Sequence, residues 1–204
     1  MTTKKKQHWE NVFHNKRPDQ VSWTQEYPST SMEIINALAL DKSLPVIDVG
    51  GGDSKLVDAL LEKGYTDISV LDISEKALSR AKDRLGSSAK EVSWIVSDIV
   101  HFKPQKNYAL WHDRASFHFL TDTSQIKRYT SLVEKWANKH LVLGTFSTDG
   151  PLKCSGLPVK QYNCTSLTEK FQEHFECLLC KSNIHTTPFD TKQHFIFSSF
   201  IRKS

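Results

Sequence analysis

Three acids stand at the ends of short apolar runs, and their spacing is the chemical signal in this chain. Asp48 lies within Val46-Ile47-Asp48-Val49 and is followed at once by Gly50-Gly51-Gly52; Asp72 closes Val70-Leu71-Asp72; Asp98 follows Val92-Ser93-Trp94-Ile95-Val96-Ser97. The first of these, with residues 55–63 after it, reads as a buried strand, a tight turn and a helix start. Glycines let a ligand approach the backbone because no Cβ stands in the way. The helix N-terminus adds free N–H groups and the positive end of its dipole. Asp72 comes about twenty residues after the last glycine, where an acid meets a ribose diol in a nucleotide-binding doubly wound sheet. A glycine turn alone is often only a turn, so the acid-ended second strand matters. The dinucleotide pattern asks for glycine or alanine at position 55, which is Lys55, and this speaks against a nucleotide-dependent oxidoreductase. Asp48 beside the turn suits an ammonium group, held directly or through water by a charge-assisted hydrogen bond.

The series Asp48-x-Gly50-x-Gly52, then Asp72, then Ser97-Asp98-Ile99 resembles the motifs of class I S-adenosylmethionine-dependent methyltransferases, over a stretch from about Trp9 to the C-terminus. The resemblance implies S-adenosyl-L-methionine as cofactor. Asp48, Gly50, Gly51 and Gly52 would meet its methionine end. Asp72 would take the ribose hydroxyls, and Ile73, Asp98 and Ile99 the adenine, with His112 also near the cofactor. Capping a helix is the other reading of Asp98. The fold implied is Rossmann-like α/β: a doubly wound seven-stranded sheet of parallel strands with an antiparallel C-terminal strand.

The acceptor is expected where the fourth strand ends. Residues 108–111 read as that strand and run into His112-Asp113-Arg114-Ala115-Ser116-Phe117-His118-Phe119. Ligands in open α/β sheets lie beyond the carboxyl ends of strands, at the switch in strand order. His112 is the expected general base, since a free imidazole titrates near neutral pH. Asp113 would orient it or the acceptor, and Arg114 would bind or polarise an anionic acceptor. The stretch is loosely similar to the Trp-Asp-Arg segment of thiopurine methyltransferases. Packing readings stand beside these: a loop-fastening salt bridge for Arg114, and a core histidine for His118 between Phe117 and Phe119. Trp23, Gln25, Arg114 and His118 are the expected acceptor contacts.

The elements that must position these residues follow from periodicity. Trp9, Val12 and Phe13 share a helical face in residues 7–23, and Lys16-Arg17-Pro18-Asp19 breaks that helix. These aromatics either pack the segment onto the sheet or form a lid over the cofactor's methionine end, as the resemblance implies, and the single domain is read as an N-terminal lid segment, residues 1–28, on a core of residues 29–204. Ser29 or Ser31 caps a helix running to about position 40. Ser74 caps residues 75–85 and Gly86 ends them. Residues 121–136 and 165 onward read as further helices, and 140–146, 175–180 and 195–201 as strands. Alternating strands and helices imply a parallel sheet covered on both faces. The glycine- and proline-containing loop of residues 149–158 is placed to wall the acceptor pocket.

Composition bounds the partners. The 204 residues are 38% hydrophobic and 25% charged, with a formal charge of +4. That balance is slight for a phosphate-tracking groove, and no Asn-Pro-Pro-aromatic or Asp-Pro-Pro-aromatic motif follows the fourth strand, so no nucleic-acid partner is expected. Lys4-Lys5-Lys6 reads as a solvated, frayed terminus. No apolar stretch approaches membrane-spanning length and no secretory h-region is visible. A cytoplasmic protein follows, with no membrane partner, present as a monomer or weak dimer. Cys154, Cys164, Cys177 and Cys180 are then expected to be reduced. Cys177-x-x-Cys180 has metal or redox spacing, but its apolar neighbours favour buried, inert thiols, and no metal is expected. A small-molecule acceptor is the first reading, a protein lysine the alternative, and a non-catalytic cofactor-binding protein a second alternative.

Overall fold

The computed structural model describes residues 4–203. Its elements are α1 (Lys4–Asn15), α2 (Ser29–Ala37), β1 (Val46–Val49), α3 (Leu56–Glu62), β2 (Ile68–Asp72), α4 (Glu75–Leu85), β3 (Val92–Val96), β4 (Tyr108–Arg114), α5 (Thr123–Trp136), β5 (Ala137–Phe146), α6 (Cys164–Phe171), β6 (Phe175–Thr186) and β7 (Lys192–Arg202). These seven strands form one sheet in the order β3-β2-β1-β4-β5-β7-β6, and Lys153–Cys154 pairs with Leu157–Pro158 in a separate two-stranded hairpin. β1 to β5 run parallel, and β7 inserts antiparallel between β5 and β6. This is the expected Rossmann-like sheet. Every residue of β1 and β2 is buried, as strands covered by helices on both faces must be. One apolar cluster gathers Ile35, Leu60 and Leu78 against the sheet, and a second gathers Trp111, Tyr129 and Phe171. Strand order reverses between β1 and β4, and this opens a crevice at their carboxyl ends.

Local signals account for most helix ends. Ser74 caps α4 by accepting from Ala77 N, and Gly86 stops it at φ +57°. Asn163 and Ser166 form a reciprocal capping box, so α6 starts at Cys164, just ahead of its expected start. α2 begins at Ser29 behind Pro28 with no side-chain cap, so neither serine caps it, and it ends short of its expected end.

Three expectations are corrected. The basic run 4–6 is not a frayed end: it forms the first turn of α1, which Trp9 and Phe13 pin by burial. β4 continues through His112, Asp113 and Arg114, so these are strand residues whose side chains alternate between faces. Cys164 and Cys180 are joined in a disulfide. Sequence spacing hid the pair, because it is the packing of α6 on β6 that brings the two Cα atoms to 5.8 Å. Cys154 is buried and Cys177 half-buried, both as free thiols. Among the described residues no helix is long and apolar enough to cross a membrane.

Candidate cofactor and acceptor site

A cavity lies at the carboxyl ends of β1, β2 and β4, beneath α1, with about 990 Å³ of space between its walls when the open solvent at its mouth is included. Asp48, Gly50, Gly51, Gly52, Asp72, Ile73, Asp98, Ile99 and His112 all line it. The turn at its floor requires glycine. Gly50 has φ +68°, and a Cβ there would stand 2.5 Å from the Ser116 Cβ. Gly50 N and Gly51 N both donate to Leu71 O, at 2.7 and 3.1 Å, which ties the turn to β2 and leaves room above it for a ligand.

Asp72 is only 7% exposed, although the end of a strand suggests exposure. Burial, with Asp53, Asp48 and Glu10 close by, pushes its carboxyl up to about 7, against the lowering effect of the Ser74 N–H it accepts. Such a carboxyl gains from any ligand that donates hydroxyl hydrogens to it. Asp98 accepts from Val100 N at 3.2 Å as the cap of a short 3₁₀ turn. Capping and lining the cavity therefore coexist.

His112 is fixed from both sides. Its Nδ1 lies 2.7 Å from Asp48 Oδ1 and its Nε2 2.9 Å from Ser31 Oγ. One tautomer satisfies both contacts: Nδ1–H donates to Asp48, and Nε2 accepts from the Ser31 hydroxyl. The imidazole then has no lone pair left for an acceptor proton. Its geometry orients Asp48, its register partner across β1 and β4, so the expected base is placed as a positioning group.

Strand alternation sends Asp113 to the opposite face. There it accepts from Ser116 N, Phe117 N and the Tyr129 hydroxyl at 3.1, 3.0 and 2.8 Å. Burial raises its carboxyl to about 6 against those bonds. Asp113 thus fastens the loop after β4 rather than orienting a base or an acceptor. His118 is also no cavity wall. It stacks on Phe146 at 4.3 Å, its Nδ1 accepts from Phe146 N, and burial pushes it down to about 3. Gln25 does not line the cavity either, whereas Trp23 does.

Arg114 does face the cavity. Its Nη1 donates to the Trp23 carbonyl at 3.0 Å and its guanidinium lies 5.4 Å from the Phe195 ring centre. No carboxylate within ion-pair distance accompanies it among the described residues. Burial lowers it to about 10, and Asp48 is the charge that partly offsets this. Around it stand walls that the sequence reading did not assign, Phe119, Phe146, Phe195 and Gln193, together with Cys154 from the loop that was expected to wall the pocket. Phe146 and Phe195 are cross-strand partners.

α1 roofs the cavity with Lys5, Trp9 and Phe13, which recur every fourth residue on one helical face. That spacing could have revealed Lys5. Trp9 packs against Trp23 and Phe119 at 5.8 and 5.1 Å. Glu10 reaches the N-terminus of α4, accepting from Ser74 Oγ, Glu75 N and Lys76 N at 3.0, 2.8 and 3.2 Å. Arg80 binds the Lys16 carbonyl at 2.5 Å and Asp53 at 3.3 Å.

Comparison with known proteins agrees with this fold. Residues 46–136, somewhat under half of the chain, match the family model of a methyltransferase domain. The chain is 24% identical over 192 residues to malonyl-[acyl-carrier protein] O-methyltransferase 1 of Ilyobacter polytropus, covering 87% of this chain and 69% of that protein. It is 26% identical over 121 residues to the mouse eEF1A lysine and N-terminal methyltransferase, covering 58% of this chain but 17% of that longer protein. The fold matches a methyltransferase structure from Anabaena variabilis with a TM-score of 0.75 at 16% identity, over 97% and 93% of the two chains. The segment matched by the family model runs from β1 and the glycine turn, through Asp72 and Asp98, to the end of α5. Over this segment the chain is similar to methyltransferase domains, and its fold is that of S-adenosylmethionine-dependent methyltransferases.

Proposed function

We propose that the protein transfers a methyl group from S-adenosyl-L-methionine to a small molecule held in the aromatic half of the cavity. The cofactor supplies a methyl already activated on a sulfonium. Asp48, oriented by His112 and Ser31, is placed to hold its ammonium, Asp72 its ribose, and Ile73, Asp98 and Ile99 its adenine. Gly50–Gly52 keep the floor open. The aromatic walls and α1 exclude water and align the acceptor, and alignment alone is worth several kcal/mol. One observation carries the choice of acceptor: Arg114 points into an aromatic enclosure and, among the described residues, makes no ion pair with a carboxylate. The mouse relative favours a second reading, a protein lysine. A cation at the acceptor end opposes it, because like charges repel in a partly buried site.

The test uses labelled cofactor against a filtered small-molecule extract and, separately, the protein fraction. Label entering only the protein fraction would overturn the small-molecule reading.

A further inference from the structure

The aromatic half of the cavity carries information about the acceptor's chemistry, not only its size. Arg114 is a cation whose guanidinium is held in place by the Trp23 carbonyl and the Phe195 ring. Its field reaches its neighbours: after burial, it is the next cause lowering His118 and His185. Neither histidine lines the cavity. His118 is occupied by Phe146 N and stacked on its ring. His185 donates through Nε2 to the Ser22 carbonyl at 2.7 Å. His112 is bonded at both nitrogens, Asp113 serves the opposite face, and burial raises the Cys154 thiol. Among the described residues at this end, then, a cation stands without an ion-pair partner and a base is not at hand.

We propose that the acceptor is a carboxylic acid on a flat apolar body and that the carboxylate itself is methylated, an assignment resting on the methyltransferase reading above. A neutral alcohol, a thiol or an alkylammonium would have to lose a proton to reach its nucleophilic form, whereas a carboxylate is ionised at neutral pH. One carboxylate oxygen takes N–H bonds from the Arg114 fork, the geometry guanidinium groups favour. The other oxygen attacks the methyl carbon. An O–C bond forms as the C–S bond breaks, and its electron pair stays on sulfur. The negative and positive charges cancel, the products are a neutral methyl ester and the thioether, and no proton moves. Gln193 offers an amide beside the acid, and Phe119, Phe146 and Phe195 receive the body.

The experiment uses 2-naphthoate, cinnamate, their primary amides and 2-naphthylmethylamine as probes. Each is added to the whole protein saturated with S-adenosylhomocysteine, and ligand-observed NMR reads binding. The acids are expected to bind at least about tenfold more tightly than their amides, the scale of a charged hydrogen-bond pair. Arg114→Gln removes that preference and Arg114→Lys keeps part of it, while calorimetry finds S-adenosylhomocysteine affinity unchanged in both. With labelled S-adenosylmethionine, label on the acids is released by alkali as methanol, as ester methyl is and N-methyl is not. Amides or the amine binding as well as the acids, no acid binding at millimolar concentration, or no alkali-labile label overturns the proposal. Should Arg114→Gln fail to fold, the acid-to-amide ratio on the native protein still decides. Failure of S-adenosylhomocysteine itself to bind would instead overturn the cofactor reading.

Discussion

The two halves of the cavity are built in opposite ways. The cofactor half comes from consecutive strand ends of one half-sheet: β1 with its glycine turn, β2, and the turn after β3, all within about fifty residues. Its polar groups are held by short, directed bonds, Asp48 to His112, Asp72 to Ser74 and Asp98 to Val100. The acceptor half is assembled from α1, Trp23, the ends of β4 and β5, and β7, and most of its contacts are between rings. A ligand fixed in shape rewards local polar motifs, and a ligand-specific pocket is set by packing. The comparison makes the halves separable except where they touch.

They touch at Gly50, and substitution there is expected to have the largest effect. A Cβ at Gly50 would press on Ser116, in the loop that follows Arg114. The left-handed backbone adds strain of about 1–2 kcal/mol for an L side chain, and overpacking about 1–3 kcal/mol. Gly50→Ala should therefore lower unfolding stability in denaturant by roughly 2–5 kcal/mol and damage binding in both halves. A variant that kept wild-type stability while losing only cofactor affinity would show the halves to be independent.

Asp72→Asn should sharpen the contrast by acting on the cofactor half alone. Loss of a charged acceptor is expected to weaken cofactor binding by ~1.5–3 kcal/mol. The pH dependence tests the cause. In the free protein burial holds the Asp72 carboxyl near 7, and in the proposed role the ionised form would accept the ribose hydroxyls. Binding then requires proton release below pH 7, so native affinity should tighten as pH rises toward 8, by up to about tenfold per unit below the shifted value. The sign for folding is opposite. An acid whose folded value is raised adds stability below its unfolded value near 3.9 and loses it as pH rises through about 7. Calorimetry and melting curves at pH 6 and 8 should show both trends in the native protein, and the Asp72→Asn variant should lack the part that this residue contributes.

The same contrast explains what could be read from sequence. Asp48, Asp72, Asp98 and the glycines were legible because each acid ends a strand with its own apolar signature, and all of them line the cavity. Arg114 was legible by position. The bonding of His112 and Asp113 was not legible, because residues 112–114 read as a loop, whereas a strand of period two places neighbours on opposite faces. Phe195 and Gln193 were invisible: only the antiparallel insertion of β7 brings Phe195 opposite Phe146, and no local pattern announces that pairing. Lys5 was hidden because a basic run near a chain end reads as solvated. The Cys164–Cys180 pair needed the packing of α6 on β6, which a separation of 16 residues does not disclose.

His112 lies on the border between the halves, and its substitution separates two roles. A positioned base would cost ~10²–10⁴-fold in turnover with cofactor affinity intact. A group that orients Asp48 would instead cost about one hydrogen bond, ~0.5–1.5 kcal/mol, in cofactor affinity. His112→Ala is expected to show the second pattern by calorimetry and steady-state kinetics. A large fall in turnover at unchanged affinity would restore the base and remove the argument for a pre-ionised acceptor.

The smallest expected effect concerns how the roof is held. α1 covers both halves, and Glu10 fastens it to the start of α4, accepting from Ser74 Oγ and from two backbone N–H groups of the first turn. An anion at a helix N-terminus is worth ~0.3–1 kcal/mol. Glu10→Gln keeps one acceptor oxygen and removes the charge, so α1 should open more often without the sheet losing stability. Hydrogen exchange should then speed in residues 5–15 by about two- to fivefold, with the strand amides unaffected. If α1 is the gate for ligand exchange, cofactor association and release should both quicken while their ratio changes little. Trp9 and Phe13 are the competing anchor, buried against Trp23 and Phe119. Unchanged exchange in Glu10→Gln would mean that ring packing alone holds the roof, and the acceptor half would then share its fastening with the cofactor half only through the turn at Gly50.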